Sequence, residues 1–157
     1  MKQRWAALAT VVALSAFVPR LAEAQANGHV AGAAKESGSG SELGQNSPNP
    51  FTTDTKIPFT IGDYPTCSDP DRVYRVSLRV YNILSQLVSI PVLQGGSGSV
   101  AEGTPLENLQ LPCGQYTAYW DAKNSRTGQQ VTQGMYLYRL EVNRRRVSKK
   151  MLYSGNK

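Results

Sequence analysis

Apolar and polar residues alternate with a period of two along much of the chain after residue 55. Successive side chains of a strand point to opposite faces, so this alternation predicts half-buried β-strands. Gly, Pro, Asn and Asp separate the alternating segments, and no stretch shows the periodicity of an amphipathic helix. The clearest apolar sets are Ile57/Phe59/Ile61, Tyr74/Val76/Leu78/Val80, Tyr116/Ala118/Trp120 and Tyr136/Tyr138/Leu140/Val142.

Two weaker segments complete the predicted set of strands. They are Leu87–Leu93, which Pro91 interrupts, and Val147–Tyr153. Pro58 has no N–H to donate, which favours a sheet edge for the first strand. Short strands between turns predict an all-β sandwich of about seven antiparallel strands. The large side chains expected in its core are Trp120, Phe51 and Tyr138.

The first 44 residues differ in composition from the rest. Residues 1–24 combine a basic start, an apolar run and the small-x-small sequence Ala22-Glu23-Ala24, which is typical of a secretory signal peptide. The apolar run has about 14 residues, fewer than the roughly 20 that span a bilayer, although a retained leader could tether the chain to a membrane. Residues 25–44 predict a flexible Gly/Ser-rich spacer, and residues 45–157 the folded domain. These features predict an exported protein, periplasmic or on the outer surface.

A proline pair follows the spacer in the sequence Ser47-Pro48-Asn49-Pro50. Proline has a fixed φ and pushes the preceding residue away from helical geometry. The sequence therefore predicts a stiff, extended lead-in that delivers Phe51 to the base of the domain. The alternative is a plain end of the linker.

Cys67 and Cys113 are the two cysteines of the chain, 46 positions apart. In an exported protein an isolated pair favours one disulfide. A metal or thiol site has less support, because the only histidine, His29, falls in the spacer.

Charge and motifs narrow the classes of function. The formal net charge is +6, and without residues 1–24, which hold three cations and one anion, it is +4. This mild excess suits anionic surfaces but is weaker than the charge typical of nucleic-acid binding. The sequence has no catalytic constellation, phosphate loop or metal-ligand cluster. We therefore expect no enzyme activity, cofactor, metal, small-molecule substrate or nucleic-acid partner.

Two features are candidate interaction sites. Arg144, Arg145 and Arg146 would crowd the tip of a hairpin if Asn143 opens its turn, and could meet anionic lipid headgroups, acidic polysaccharide or an acidic protein patch. The alternative is a solvated turn. Tyr119, Met135 and Leu137 would form an exposed apolar face if their strands pair. The alternative is that the Pro91–Cys113 loop covers this face.

Four segments carry a resemblance in their order and spacing: "QNSPNPFTTDTKIPFTI", "VSLRVYNILSQLV", "GQYTAYWDAKNSRTGQQVTQGMYLYRLEV" and "SKKMLY". Together they resemble the FlgD Ig-like fold of flagellar hook-cap proteins, which is related to C-terminal sorting domains of type IX secretion cargo. The chain departs from that family at Ser85 and Ala122, where the family usually has glycine, and at apparent insertions over Thr66–Tyr74 and Pro91–Cys113.

The resemblance implies an Ig-like sandwich with a non-catalytic role. The combination of a leader, a spacer and a rigid β-domain favours an accessory subunit that docks onto a larger envelope or membrane-associated complex through a protein partner. A type IX sorting domain and a hook-cap-like assembly domain are the alternatives.

Overall fold

A computed structural model describes residues 40–155, so the expected signal peptide and most of the expected spacer lie outside the described residues. The described part forms nine β-strands and no helix, which confirms the all-β prediction and exceeds the expected count of about seven. The strands are β1 (Glu42–Leu43), β2 (Thr55–Ile61), β3 (Val73–Tyr81), β4 (Leu87–Ser89), β5 (Val92–Gln94), β6 (Leu109–Pro112), β7 (Gly114–Trp120), β8 (Gly134–Val142) and β9 (Arg145–Tyr153).

These strands form two antiparallel sheets. The first sheet has the order β1-β2-β7-β5, and the second has the order β4-β3-β8-β9, with β6 also paired to β3. The chain passes from the second sheet to the first between β4 and β5, and again at Cys113 between β6 and β7. Both β5 and β6 lie in the segment that resembled an insertion, so that segment is part of both sheets.

Buried side chains from both sheets form one core cluster. Trp120 is 2% exposed, and its ring lies 5.7 Å from that of Phe51 and 5.6 Å from that of Tyr136. Its indole nitrogen donates to the carbonyl oxygen of Lys123 at 3.0 Å, which satisfies its one polar group. Buried side chains of the two sheets thus share one core, as the alternation predicts.

Pro58 does not lie at the edge of its sheet. The two-residue strand β1 covers β2, and it falls within the segment expected to be a spacer. The Gly44 amide donates to the Pro58 carbonyl at 2.8 Å, but Pro58 has no N–H to return to Gly44. The hydroxyl of Tyr138, which is fully buried, donates to the Gly44 carbonyl at 2.9 Å instead and accepts from the Asn46 amide at 3.1 Å.

The Ser47–Pro50 segment bends at residues 48–50 instead of running extended, so the predicted extended lead-in is wrong. Asn46 holds the bend, because its buried side-chain amide donates to the carbonyl of Pro48 and the hydroxyl of Thr55, both at 3.0 Å. Phe51 is buried beyond the bend, and its amide donates to the Leu152 carbonyl at 3.1 Å. The chain therefore contacts both sheets before β2 begins.

The structure joins Cys67 and Cys113 in a disulfide with a Cα–Cα distance of 5.5 Å, in agreement with the predicted pair. The bond links the β2–β3 loop to the point where the chain changes sheets. In the same loop Asp63 accepts hydrogen bonds from the hydroxyl and the backbone amide of Ser68. These bonds, that of the hydroxyl first, lower the pKa of Asp63 below its usual value.

Ser85 and Ala122 have φ angles of 60° and 55°. This left-handed region disfavours residues with a Cβ atom, and glycine enters it without that cost. Ser85 and Ala122 therefore have a backbone conformation that glycine adopts more easily. They are the two positions at which the resembled FlgD Ig-like family usually has glycine.

Candidate interaction surfaces

The β8–β9 hairpin has a two-residue turn, Asn143–Arg144, in which both residues have positive φ. The Asn143 amide donates to the Arg75 carbonyl at 3.0 Å, and its side-chain oxygen accepts from the Arg75 amide at 2.9 Å. These two bonds fix the turn against the start of β3. The tip is thus a rigid element of the second sheet.

The three arginines do not crowd this tip as the sequence predicted. Only Arg144 lies in the turn, whereas Arg145 and Arg146 begin β9. Consecutive residues of a strand point to opposite faces, so their guanidiniums diverge. Arg146 pairs with Glu141 at 2.9 Å, and in residues 40–155 neither Arg144 nor Arg145 forms an ion pair.

The predicted face of Tyr119, Met135 and Leu137 is wrong, because β7 and β8 belong to different sheets. Tyr119 lies between Lys56 of β2 and Val92 of β5 on the first sheet, and is half-buried. The Pro91–Cys113 segment borders it through β5 but leaves part of the ring exposed. Met135 and Leu137 lie on the outer face of the second sheet.

The outer face of the second sheet nevertheless carries an apolar cluster, which we call the outer strip: Tyr81, Met135, Leu137 and Leu152. Tyr81 is opposite Leu137, and Met135 is opposite Leu152. Met135 is 46% exposed and Leu152 is 40% exposed. The strip is therefore a continuous feature of three neighbouring strands, β3, β8 and β9.

Apolar residues continue past the strip into the β3–β4 turn, which begins directly after Tyr81. Ile83 and Leu84 are 73% and 72% exposed in this turn. The side-chain oxygen of Asn82 accepts from the backbone amides of Leu84 and Gln86, at 3.0 and 2.9 Å, which holds the turn in place. Exposed apolar residues that adjoin in this way are typical of contact sites.

Cations border the outer strip. The Arg139 guanidinium lies 4.9 Å from the Tyr81 ring centroid, and its Nε donates to the Ser148 hydroxyl at 3.2 Å. Lys150 is opposite Leu137 and exposed, and no carboxylate of residues 40–155 pairs with it. The strip therefore combines apolar surface with positive charge on one face.

Tyr81 and Leu152 were not among the predicted interaction residues, although the alternation of apolar and polar positions could have identified them. Tyr81 and Leu152 occupy outward positions of strands whose neighbours Val80, Met151 and Tyr153 are buried. A large apolar residue at an outward position marks exposed surface wherever the strand is recognised. The exposure of the turn residues Ile83 and Leu84 depends on the hairpin geometry, which the alternation does not specify.

Two other features, a metal-binding cluster and a membrane-spanning helix, are absent from the described residues. Residues 40–155 contain no group of three His, Cys, Asp or Glu side chains close enough to hold a metal ion. A helix of the length and apolarity needed to cross a bilayer is likewise not found in this range.

No protein-family model and no curated protein matches the chain. Among solved structures, the chain is similar to the alkylpurine DNA glycosylase AlkC of Pseudomonas fluorescens, bound to DNA containing an abasic-site analogue. The TM-score is 0.44 and the identity 12%, over 74% of this chain and 31% of the glycosylase chain. The chain thus corresponds to about a third of that protein's length.

This neighbour corrects two expectations from the sequence. It is an enzyme and it is bound to DNA, whereas the sequence predicted that the chain has no enzyme activity and no nucleic-acid partner. The expectations that the chain lacks enzyme activity and lacks a nucleic-acid partner are therefore withdrawn. A similarity at this TM-score does not assign either activity to the chain.

Proposed function

We propose that the chain is an exported interaction module that docks onto a larger envelope-associated assembly through the outer strip. The observation that carries the proposal is the strip itself, with Met135 and Leu152 about half exposed on the face of a sheet. Aromatic residues, Met and Arg are enriched at the centres of protein interfaces, and Tyr81, Met135 and Arg139 meet here.

We further propose an Ig-like sandwich related to the FlgD Ig-like fold. Two antiparallel sheets around one core support this proposal, as does a chain that changes sheets between successive strands. The left-handed conformations of Ser85 and Ala122 also support it, since glycine is usual at these positions in that family.

The partner in this proposal is a protein with an apolar patch and an acidic rim. Arg139 and Lys150 border the strip, and Arg144 and Arg145 end the same hairpin. Carboxylates of a partner would face these cations when its apolar patch covers the strip. Such complementary charge speeds association and fixes orientation, whereas the apolar contacts determine how long the complex lasts.

The first experiment removes the apolar contacts. Met135→Ser with Leu152→Ser is compared with the wild-type chain in cross-linking and co-isolation from envelope fractions. Val73→Ser is the matched control, because Val73 is 55% exposed at the opposite end of β3 from Tyr81. We expect the cross-linked species to persist in the control, and to decrease about tenfold or more in the double variant, as for loss of interface anchors.

The second experiment removes the charge at the hairpin tip. The variant Arg144→Ser with Arg145→Ser keeps Arg146, because Arg146 forms an ion pair with Glu141. The control is Arg126→Ser, in another exposed turn. We expect slower association at low salt and little difference at high salt, since exposed charges are screened beyond about 8–10 Å.

The first experiment decides the proposal. If Met135→Ser with Leu152→Ser co-isolated as well as the wild type, the outer strip would not be the docking surface.

A further inference from the structure

A cavity of about 600 Å³ opens beside Tyr119. Four parts of the chain border it: Thr53–Asp54 before β2, Tyr119–Lys123 at the end of β7, Gln130–Gln133 before β8, and Tyr153 with Gly155 at the end of β9. Its volume lies within the range of about 300–1,000 Å³ that is usual for small-molecule sites. Polar and apolar surface contribute equally to its lining, which favours a ligand that has both hydrogen-bonding groups and an apolar face.

The Tyr119–Lys123 part of the cavity has a fixed conformation. The Lys123 carbonyl accepts from the indole of Trp120, and the Asp121 carboxylate accepts from the Lys123 amide at 3.1 Å. The second oxygen of Asp121 lies 3.2 Å from the Lys123 ammonium. The Asp121 carboxylate, oriented by the Lys123 amide, and the Lys123 ammonium therefore lie together at the end of β7.

Asp54 provides the second carboxylate. It accepts from the Thr53 hydroxyl at 2.8 Å, and no cation of residues 40–155 pairs with it. Burial first, and then the charges of Asp54 and Asp121, raise the pKa of the Tyr119 phenol above its usual value. The ring therefore stands within the field of two carboxylates.

Gln130 adds an oriented amide. Its Nε2 donates to the Tyr153 hydroxyl at 2.8 Å, which leaves its side-chain oxygen as an acceptor at the cavity. The hydroxyls of Thr53 and Thr132 and the amide of Gln133 add both donors and acceptors. A site for a lone cation would present acceptors only, so the ammonium and amide donors argue against that class of ligand.

Tyr119 also lines two smaller depressions, of about 290 and 240 Å³. One runs past Ser89–Val92 and Asn124–Ser125, and the other past Val92–Gln94 and Glu102. Tyr119 thus borders all three depressions. A ligand made of repeated units could continue from the main cavity across Tyr119.

We propose that this groove binds a neutral oligosaccharide, with one sugar ring against the face of Tyr119. Each sugar hydroxyl both donates and accepts, which matches a lining of carboxylates, amides, hydroxyls and one ammonium. The C–H face of a pyranose is apolar and can cover an aromatic ring. The carboxylates of Asp54 and Asp121 repel an acidic sugar and the Lys123 ammonium repels a cationic one, so a neutral sugar fits this lining best.

Calorimetric titration of the full chain tests this with four neutral hexaoses, of β-1,4-glucose, α-1,4-glucose, β-1,4-mannose and β-1,4-N-acetylglucosamine. Hexagalacturonate represents acidic sugars, and β-1,4-glucosamine hexaose represents cationic ones. We expect at least one neutral hexaose to bind with a Kd below about 1 mM. Tyr119→Ala should weaken it about tenfold, whereas Tyr119→Phe, which keeps the ring, should stay within about threefold.

Tyr64→Ala is the matched control, since Tyr64 is an exposed tyrosine whose hydroxyl bonds to Gln115 near the other end of β7. If Tyr119→Ala fails to fold, the amide chemical shifts of the wild-type chain are followed during titration with the hexaose instead. The shifts that change must then centre on residues 53–54, 119–123 and 130–133. Absence of neutral binding at 1 mM, preference for a charged hexaose, or equal binding by folded Tyr119→Ala would each overturn the proposal. None of these results bears on docking through the outer strip.

Discussion

Tyr138→Phe removes one hydroxyl from the interior and keeps the ring. The hydroxyl donates to Gly44 at 2.9 Å and accepts from Asn46 at 3.1 Å. Pro58 cannot supply the missing donor to Gly44, so the variant leaves a carbonyl and an amide without partners. At about 1 kcal/mol for each bond, and more if the groups stay dry, we expect a loss of about 2 kcal/mol in the free energy of unfolding, within a range of 1–3.

Urea denaturation measures this loss as a lower midpoint at an unchanged m-value. The matched variant is Tyr116→Phe, whose hydroxyl donates to the Pro112 carbonyl at 3.0 Å in a half-buried position. Water can replace that bond, so we expect a loss below about 1 kcal/mol. Faster hydrogen exchange at the Asn46 amide in Tyr138→Phe would locate the effect. Equal losses in the two variants would refute the argument that burial determines the cost.

The same hydroxyl predicts a dependence on pH. Burial raises the pKa of Tyr138 above 10.0, and the hydrogen bond from the Asn46 amide opposes this with a smaller effect. The folded state thus keeps the phenolic proton of Tyr138 more tightly than the unfolded chain does. The contribution of this proton to the free energy of unfolding is therefore full below a pH of about 10, and it is lost as the pH rises through the folded-state pKa. The difference between wild type and Tyr138→Phe should therefore narrow above pH 10. A constant difference would contradict the raised pKa.

Three further changes test the fold. Trp120→Ala should cost about 3–5 kcal/mol because a large buried ring leaves a cavity, and thermal unfolding at the wild-type temperature would contradict this. Replacing Cys67 and Cys113 together with Ser should cost about 3–4 kcal/mol, since the bond closes a loop of 46 residues in the unfolded chain, and an unchanged urea midpoint would refute it. Ser85→Gly should instead raise stability by about 0.5–1 kcal/mol, because glycine relieves the positive φ; a loss would show that the hydroxyl matters more.

The alternation of residues predicted most strands because it reports burial of one face. It assigns Ile57, Phe59 and Ile61 to one side of β2, and the structure buries all three. It does not identify the neighbouring strand, because pairing depends on how the chain connects the two sheets. Tyr119 was therefore placed beside Met135, although the two lie on different sheets.

The elements that were missed are short or bent. β1 has two residues, so Leu43 shows no periodicity, and its burial depends on pairing with β2 and packing in the core. β6 has four residues in a segment that resembled an insertion. The cavity beside Tyr119 collects residues from four separated segments, and no local pattern in the sequence brings those segments together.

The position of β9 at the end of its sheet has a consequence for solubility. One edge of β9 pairs with β8. The segment before β2 covers the opposite edge near Tyr153, through the bond from the Phe51 amide to the Leu152 carbonyl, but no strand of residues 40–155 pairs with that edge from Arg145 to Lys149. An exposed row of backbone donors and acceptors is a template on which a second chain can add. Arg145 and Lys149, which no carboxylate of residues 40–155 pairs with, place positive charge along this row, so two copies that approach edge to edge repel each other. We therefore expect this charge to oppose growth of fibres from the edge of β9, and concentrated salt to weaken that opposition.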